Sequence, residues 1–385
     1  MLIAKNSKQI HLLPEMANRH GLVAGSTGSG KTVTIQVMAE SFSRIGVPVF
    51  MADVKGDLTG LEYPGEPNPK IDKRVKEIGV EDFAFEGNPV KYWDTYGEEG
   101  ETIKTTVKRL GPNLLGRLLN LSEAQSGSLY QVFKIADDYE ITISNLKDLY
   151  GVITVILDNA EALEKTYGRI SKMSFTALQR SLLMLEDGGN DVLFSSNGEF
   201  FDIRNFFAIE DGRGVINILK ATKLIKSQQV YSTFLLWLLA ELFEMLPERG
   251  DAEKPLIVFF FDEAHLIFDE APKVLVDRIE KLVKLIRSKG VGVYFITQNP
   301  SDIPDDVLNQ LGNRVQHSMR AFTPKEQKSV KSIAQSFRPN PGLNVEEAIG
   351  ELKIGEALVS FLDEQGSPSK VNRALICPPR SRIGC

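Results

Sequence analysis

Apolar runs without interruption alternate along this chain with stretches whose apolar residues recur every three or four positions. Residues 21–24, 47–53, 214–218, 255–261 and 292–297 are short, almost wholly apolar and bounded by turn residues, the texture of parallel strands covered on both faces. Residues 32–42 and 272–289 carry helical spacing, the second with Leu275, Ile279, Leu282 and Ile286 on one face. Shorter apolar pieces at 80–85 and 89–93 follow a connection rich in proline and glycine at 63–70. Between residues 98 and 207 the texture changes. Helical spacing dominates at 102–110, 112–119, 122–138, 145–159 and 174–185, with 152–157 also open to a strand reading. The pattern predicts an α/β fold of mainly parallel strands with helices on both faces, split by a helical insertion. The predicted boundaries are 1–95 and 208–385 for the two parts of the core and 96–207 for the insertion.

The 385 residues suffice for a full α/β core and an insertion. A formal net charge of -6 argues against a surface coated for nucleic acid, though it leaves room for a local basic channel. Lys281, Lys284 and Arg287, with Arg278 and Lys289, crowd the polar side of the 272–289 helix. Such a face suits nucleic-acid phosphates, a neighbouring subunit or plain solvent. Two cysteines, Cys377 and Cys385, and four scattered histidines supply neither a disulfide scaffold nor a zinc cluster, so the expected compartment is the reducing cytosol. The N-terminus lacks the apolar core of a signal peptide. The most membrane-like stretch, 234–246, contains Glu241 and Glu244 and is too short to span a bilayer, so no membrane insertion is expected.

The chemistry concentrates in three places. Gly25-Ser26-Thr27-Gly28-Ser29-Gly30-Lys31-Thr32, between a predicted strand and a predicted helix, has the form of a phosphate-binding loop. Its glycines let backbone N–H groups converge on phosphate oxygens at a helix N-terminus, Lys31 would reach the β- and γ-phosphates, and Thr32 would ligate Mg²⁺. The strand 256–261 ends in Asp262-Glu263, where Asp262 could hold the same ion and Glu263 could polarise the attacking water. The strand 291–297 ends in Gln298, a neutral amide able to sense the γ-phosphate. Weaker candidates are Asp53 and Asp57 after the strand 47–53, and His265 after the acid pair. These features point to ATP and Mg²⁺ as cofactors. A small-molecule kinase is the competing enzyme class, and an ATP-gated scaffold or protein-assembly module the competing role.

The same pieces resemble the HerA-like branch of the HerA and FtsK superfamily of ring-forming P-loop ATPases. The likeness rests on GSTGSGKT at 25–32, VFMADVKGD at 49–57, VFFFDEAHLIF at 258–268, SKGVGVYFITQNP at 288–300 and LNQLGNRVQHSMRAFTP at 308–324. It extends through KYWDTYGEEGETIKTTVKRLGP at 91–112 and LICPPRSRIG at 375–384, segments like those of a bacterial subgroup of unknown function. The resemblance implies a RecA-like core, a homo-oligomer of hexamer type, ATP hydrolysis with Mg²⁺ and motor action on double-stranded DNA. It also implies an arginine acting on a neighbour's nucleotide, with Arg320 as the match and Arg314 as the second candidate. The chain departs from HerA proper because its phosphate loop begins only 24 residues in, so no N-terminal β-barrel is expected. Neither recruitment of the nuclease partner nor helicase activity follows from the likeness.

Overall fold

The computed structural model describes residues 1–187, 190–195, 199–250, 252–268 and 273–384. Pro272, at the start of a predicted helix, and Cys385 lie outside the described residues, as do the side chains of Leu275 and Arg278. The chain separates into two compact units, one of Met1–Tyr92, Ile203–Thr222 and Glu241–Cys385, the other of Trp93–Asp202 and Lys223–Ala240.

The first unit is organised by a sheet. In chain order the strands are β1 (Leu2–Lys5), β2 (Gln9–His11), β3 (Gly21–Ala24), β4 (Val49–Asp53), β5 (Val90–Asp94), β6 (Glu101–Thr102), β7 (Ile209–Glu210), β8 (Arg213–Gly214), β9 (Ile216–Lys220), β10 (Ile257–Phe261), β11 (Val291–Thr297), β12 (Asn313–Gln316), β13 (Glu356–Ser360) and β14 (Asn372–Ile376). Their spatial order in this unit is β2-β1-β14-β13-β12-β3-β11-β10-β4-β9, with β5 beyond β9. The six strands from β12 to β9 run parallel. The flank β13, β14, β1 and β2 is antiparallel. Every residue of β3, β4, β10 and β11 is buried, which explains why they read as continuous apolar runs. Aromatic rings knit the strands to their cover: Phe260 stacks on Tyr294 at 5.2 Å, and Phe42 of helix α1 (Lys31–Arg44) meets Tyr294 edge-on at 6.1 Å.

His20 locks the entry to β3. It is fully enclosed, accepts the Val293 N–H at Nδ1 (3.0 Å) and donates from Nε2 to the Val283 carbonyl (2.6 Å). Burial pushes its pKa down to about 4, so the ring is neutral at ordinary pH.

The remaining segments are sorted by contacts that the local pattern does not carry. Of the apolar pieces at 80–85 and 89–93, only the second forms a strand; the first is engaged by the C-terminal segment, where Arg380 donates to the Asp82 and Ala84 carbonyls and its own carbonyl accepts the Glu86 N–H. The 102–110 helix begins only at Val107, where the Thr106 hydroxyl accepts the Arg109 N–H, and it continues to Leu118 across a kink at Gly111. The helix read over 145–159 is present as Leu146–Asp158, which settles 152–157 as helical rather than strand.

The second unit is helical. Val107–Leu118, Glu123–Asp138, Leu146–Asp158, Ala160–Tyr167 and Lys172–Asp187 follow one another, two of them opened by reciprocal capping boxes at Ser122/Gln125 and Asn145/Asp148. Leu115, Leu129, Val132, Ile153, Phe175 and Leu178 fill its interior, together with Tyr231 and Leu235 from the segment 223–240. Among the described residues no helix is long and apolar enough to cross a membrane.

Candidate nucleotide site

The loop 25–30 leaves the carboxyl end of β3 and turns into α1, whose N-cap is Gly30. Backbone bonds hold it from both sides: Gly25 N–H donates to Thr297 O (3.3 Å), Ser26 N–H to Ser318 O (2.9 Å), and His317 N–H to Ala24 O (2.7 Å). Gly25 has φ of +147°, and a Cβ there would lie 2.6 Å from the Cβ of His317, so this position tolerates nothing larger than glycine. At Gly28 (φ +74°) a Cβ would meet nothing within 4 Å, which leaves the tip of the loop open. Lys31 Nζ folds back on the Gly25 carbonyl and on Ser26 O (3.1 Å). The buried Ser29 hydroxyl has no hydrogen-bond partner.

His317 is a site residue that the sequence reading missed. It is fully buried beneath the loop, where Nε2 meets Thr34 Oγ1 of α1 (2.8 Å) and Nδ1 meets the Glu356 carbonyl of β13 (3.1 Å). Burial, reinforced by the charge of Lys31, lowers its pKa to about 4. Its signal in the sequence was slight, a lone histidine just past a short strand.

The acid half lies at the ends of β10, β4 and β11. Strand β11 runs between β3 and β10, so Gln298 stands between the loop and the acids. Thr27 Oγ1 donates to Gln298 Oε1 (3.3 Å), and the Gln298 side chain stands beside the Glu263 carboxyl and helps to lower its pKa. Glu263 adopts φ of +50°, a strained conformation for a side-chain-bearing residue immediately after the strand. Lys55, another residue absent from the sequence-derived candidates, reaches Glu263 Oε1 at 2.9 Å and Asp262 Oδ2 at 3.5 Å. Burial raises the Asp262 pKa against the pull of Lys55. At Glu263 burial is outweighed by the hydrogen bond and charge of Lys55, and the carboxyl titrates below its ordinary range. The Lys31 pKa is lowered by burial and then by the charge of Lys55, with Asp262 and Glu263 opposing. Glu263 Oε2 is buried without a hydrogen-bond donor, His265 Nδ1 lying 3.4 Å away.

Asp53 and Asp57 divide the roles suggested for them. Asp53 shapes the turn after β4 by accepting the N–H groups of Gly56, Asp57 and Leu58, whereas Asp57 Oδ2 accepts from Thr32 Oγ1 at 3.3 Å. The two arginines also diverge. Arg314 is bound to the carbonyls of Leu311 (2.9 Å), Leu308 (2.9 Å) and Ser336 (3.4 Å), and burial lowers its pKa. Arg320 is exposed in an open groove of about 730 Å³ beside Phe322, which is 80% exposed.

A nucleotide with Mg²⁺ fits these residues. The loop offers an orphan hydroxyl and a lysine without a carboxylate partner of its own, and Thr32 lies within reach of an acid. Among the described residues there is no cluster of three or more His, Cys, Asp or Glu side chains placed to hold a metal ion.

A parallel sheet of this order, with a glycine loop feeding a helix and the acid-bearing strand one place removed, is the RecA-like core of a P-loop NTPase. Within that class the chain belongs to the family described as Helicase HerA-like C-terminal, which matches residues 1–385, and so to the HerA and FtsK superfamily of P-loop ATPases. It is 24% identical over 367 residues to a probable helicase of Methanocaldococcus jannaschii, covering 90% of this chain and 64% of that one. It is 21% identical over 362 residues to the DNA double-strand break repair helicase HerA of Saccharolobus solfataricus, covering 93% and 64%. The chain thus spans less than two thirds of the length of these relatives. In fold it is similar to the bacterial conjugative coupling protein TrwB (TM-score 0.64, 14% identity, 98% and 91% covered). It is likewise similar to VirB4 of Thermoanaerobacter pseudethanolicus (TM-score 0.61, 13% identity, 98% and 96% covered).

Proposed function

We propose that this chain is a Mg²⁺-dependent ATPase whose turnover drives movement along double-stranded DNA. The observation that carries the hydrolytic part is Glu263 Oε2, a buried carboxylate oxygen without a donor, adjoining Gln298. Such an acceptor orients a water and takes up its proton. Bound Mg²⁺ supplies charge neutralisation on the phosphates, with Thr32 and Asp262 as its protein contacts. The loop N–H groups and Lys31 stabilise the transferring phosphoryl, and Gln298 holds the water through its amide. Phosphate release from ATP with no added acceptor separates this function from a small-molecule kinase. Glu263→Gln is expected to bind ATP while losing turnover.

DNA as the object of the motor is supported by family membership and by relatives named as helicases. ATPase rate with and without linear duplex DNA, at low and moderate salt, tests it. Stimulation that fades with salt supports a translocase, and absence of both binding and stimulation favours an ATP-gated scaffold. For assembly we infer a homo-oligomer, of hexamer type, in which an exposed arginine serves the neighbouring site. Arg320 suits that role because it is exposed beside an apolar ring, whereas Arg314 is bound to its own unit's carbonyls. Mixing Arg320→Ala with Lys31→Ala chains should restore part of the turnover that each lacks alone. No recovery would remove Arg320 from the mechanism.

A further inference from the structure

Lys55 has no task in the mechanism above, yet its ammonium bridges both acids of the site. It sits in the turn after β4, the strand hydrogen-bonded beside β10, so topology sets it against the end of the acid-bearing strand. The turn is held firmly. Asp53, buried to 1% exposure, accepts three successive backbone N–H groups at 2.7, 3.2 and 3.4 Å, which fixes where the lysine stem begins. The stem itself approaches from solvent: the Lys55 side chain is 41% exposed, against 17% for Asp262 and 11% for Glu263. A single charge with an open route to solvent therefore stands at the oxygens of Asp262 and Glu263. Two residues on, Asp57 holds the Thr32 hydroxyl, so one turn touches both protein contacts proposed for the metal.

We propose that Lys55 is a latch on the acid pair, a positioning residue that ties Glu263 and screens Asp262 until a divalent cation takes its place. Two cations cannot share Asp262 Oδ2 at close range without strong repulsion, so metal loading requires the ammonium to swing outward. The same movement releases Glu263 Oε1. Admission of the metal and unlocking of the water-orienting carboxylate thus become one event, and without the metal the acid stays tied. This inference rests on the ATPase reading of the site.

The test is a titration of Mn²⁺ into the protein in the presence of the non-hydrolysable analogue adenylyl imidodiphosphate, read by the electron paramagnetic resonance of free and bound Mn²⁺. Lys55→Met keeps the stem and removes the charge, and it should half-saturate at about tenfold lower Mn²⁺ than the parent, an effect moderated by the exposure of the pair. Lys55→Arg keeps the charge and should track the parent. Lys55→Gln serves as a second neutral variant should Lys55→Met fold poorly, and is expected to behave like it. A lysine with a merely structural role would change the melting temperature and leave the Mn²⁺ isotherm in place. If the parent binds analogue and Mn²⁺ and the neutral variants bind Mn²⁺ no more tightly, the latch is overturned while the ATPase reading stands. If the parent binds neither, both fall together.

Discussion

The two halves of the site are made of different materials. The phosphate-loop half is a backbone object: glycine conformations, three inter-segment N–H···O bonds and a neutral histidine underneath define it, and its one charge, Lys31, lies folded on carbonyls. The acid half is a side-chain object in which Asp262, Glu263, Gln298 and Lys55 are brought together from the ends of three strands and held by charge. A backbone-built half resists polar substitution and fails by steric intrusion. A charge-built half keeps its shape when a carboxylate becomes an amide, and fails in chemistry instead.

The largest separation of the two should come from Glu263→Gln. Nucleotide binding, which relies on the loop, should stay within a few-fold of the parent, while turnover falls by about a thousandfold, roughly 4 kcal/mol in the barrier. Phosphate-release kinetics beside equilibrium binding of a fluorescent ATP analogue measure the two together. Parent-like turnover would remove Glu263 from its role, and lost binding would show that the halves are not separable.

Acid should instead attack the loop side and the strand beneath it. His317 and His20 both titrate near 4 in the folded chain, below the ordinary histidine value of 6.5, because burial penalises their charged forms. A depressed histidine pKa means that the unfolded chain binds the proton first. Each group's contribution to stability is therefore complete above pH 6.5, declines as pH falls, and is exhausted below about 4, a loss on the order of 3 kcal/mol apiece. Urea unfolding at a series of pH values from 7 to 4 checks the slope. His317→Gln should flatten it, and an unchanged slope would mean that His317 is not neutral and buried beneath the loop.

Sequence alone exposed these halves unequally, for the same physical reason. A loop whose function resides in consecutive backbone groups leaves a contiguous signature, so residues 25–32 were legible at once. The strands that carry Asp262 and Gln298 were legible too, since burial on both faces forces continuous apolar runs. Lys55 and His317 were not, because nothing near them in sequence marks them; only the order β12-β3-β11-β10-β4 places one against the acids and the other under the loop. The antiparallel flank also escaped. Strand β14 is only partly covered, and charged residues such as Glu356 and Arg373 are paired across β13 and β14 at 2.7 Å, so this flank lacks the continuous apolar texture of the centre. The contribution of 223–240 to the helical unit is likewise a matter of tertiary contact rather than of local pattern.

Within the loop, the contrast between filled and open space gives a finer test. Gly25→Ala combines a positive φ with a Cβ driven to 2.6 Å from His317, and should cost about 3 kcal/mol of stability. Gly28→Ala has the positive φ without the collision, and should cost about 1 kcal/mol. Thermal melts of the two variants read the difference directly. Equal losses would mean that backbone conformation alone, and not the packing of His317, sets the tolerance of the loop.

The smallest effect of all belongs to one of the two arginines, and the ranking of the pair sharpens the assignment of the one expected to act on a neighbour. Arg314 is half-buried and donates to three carbonyls, so Arg314→Ala strands acceptors near Leu308 and Leu311 and should destabilise the chain by about 2 kcal/mol. Arg320 is exposed, and its truncation should change stability by less than about 0.5 kcal/mol. Chemical denaturation at low protein concentration isolates this intrinsic effect from assembly. An arginine serving a second copy has to be dispensable to its own fold and available at the surface, and Arg320 alone of the pair meets both conditions. If Arg320→Ala proves as destabilising as Arg314→Ala in dilute solution, the side chain is part of its own unit's structure and the case for its action in trans is lost.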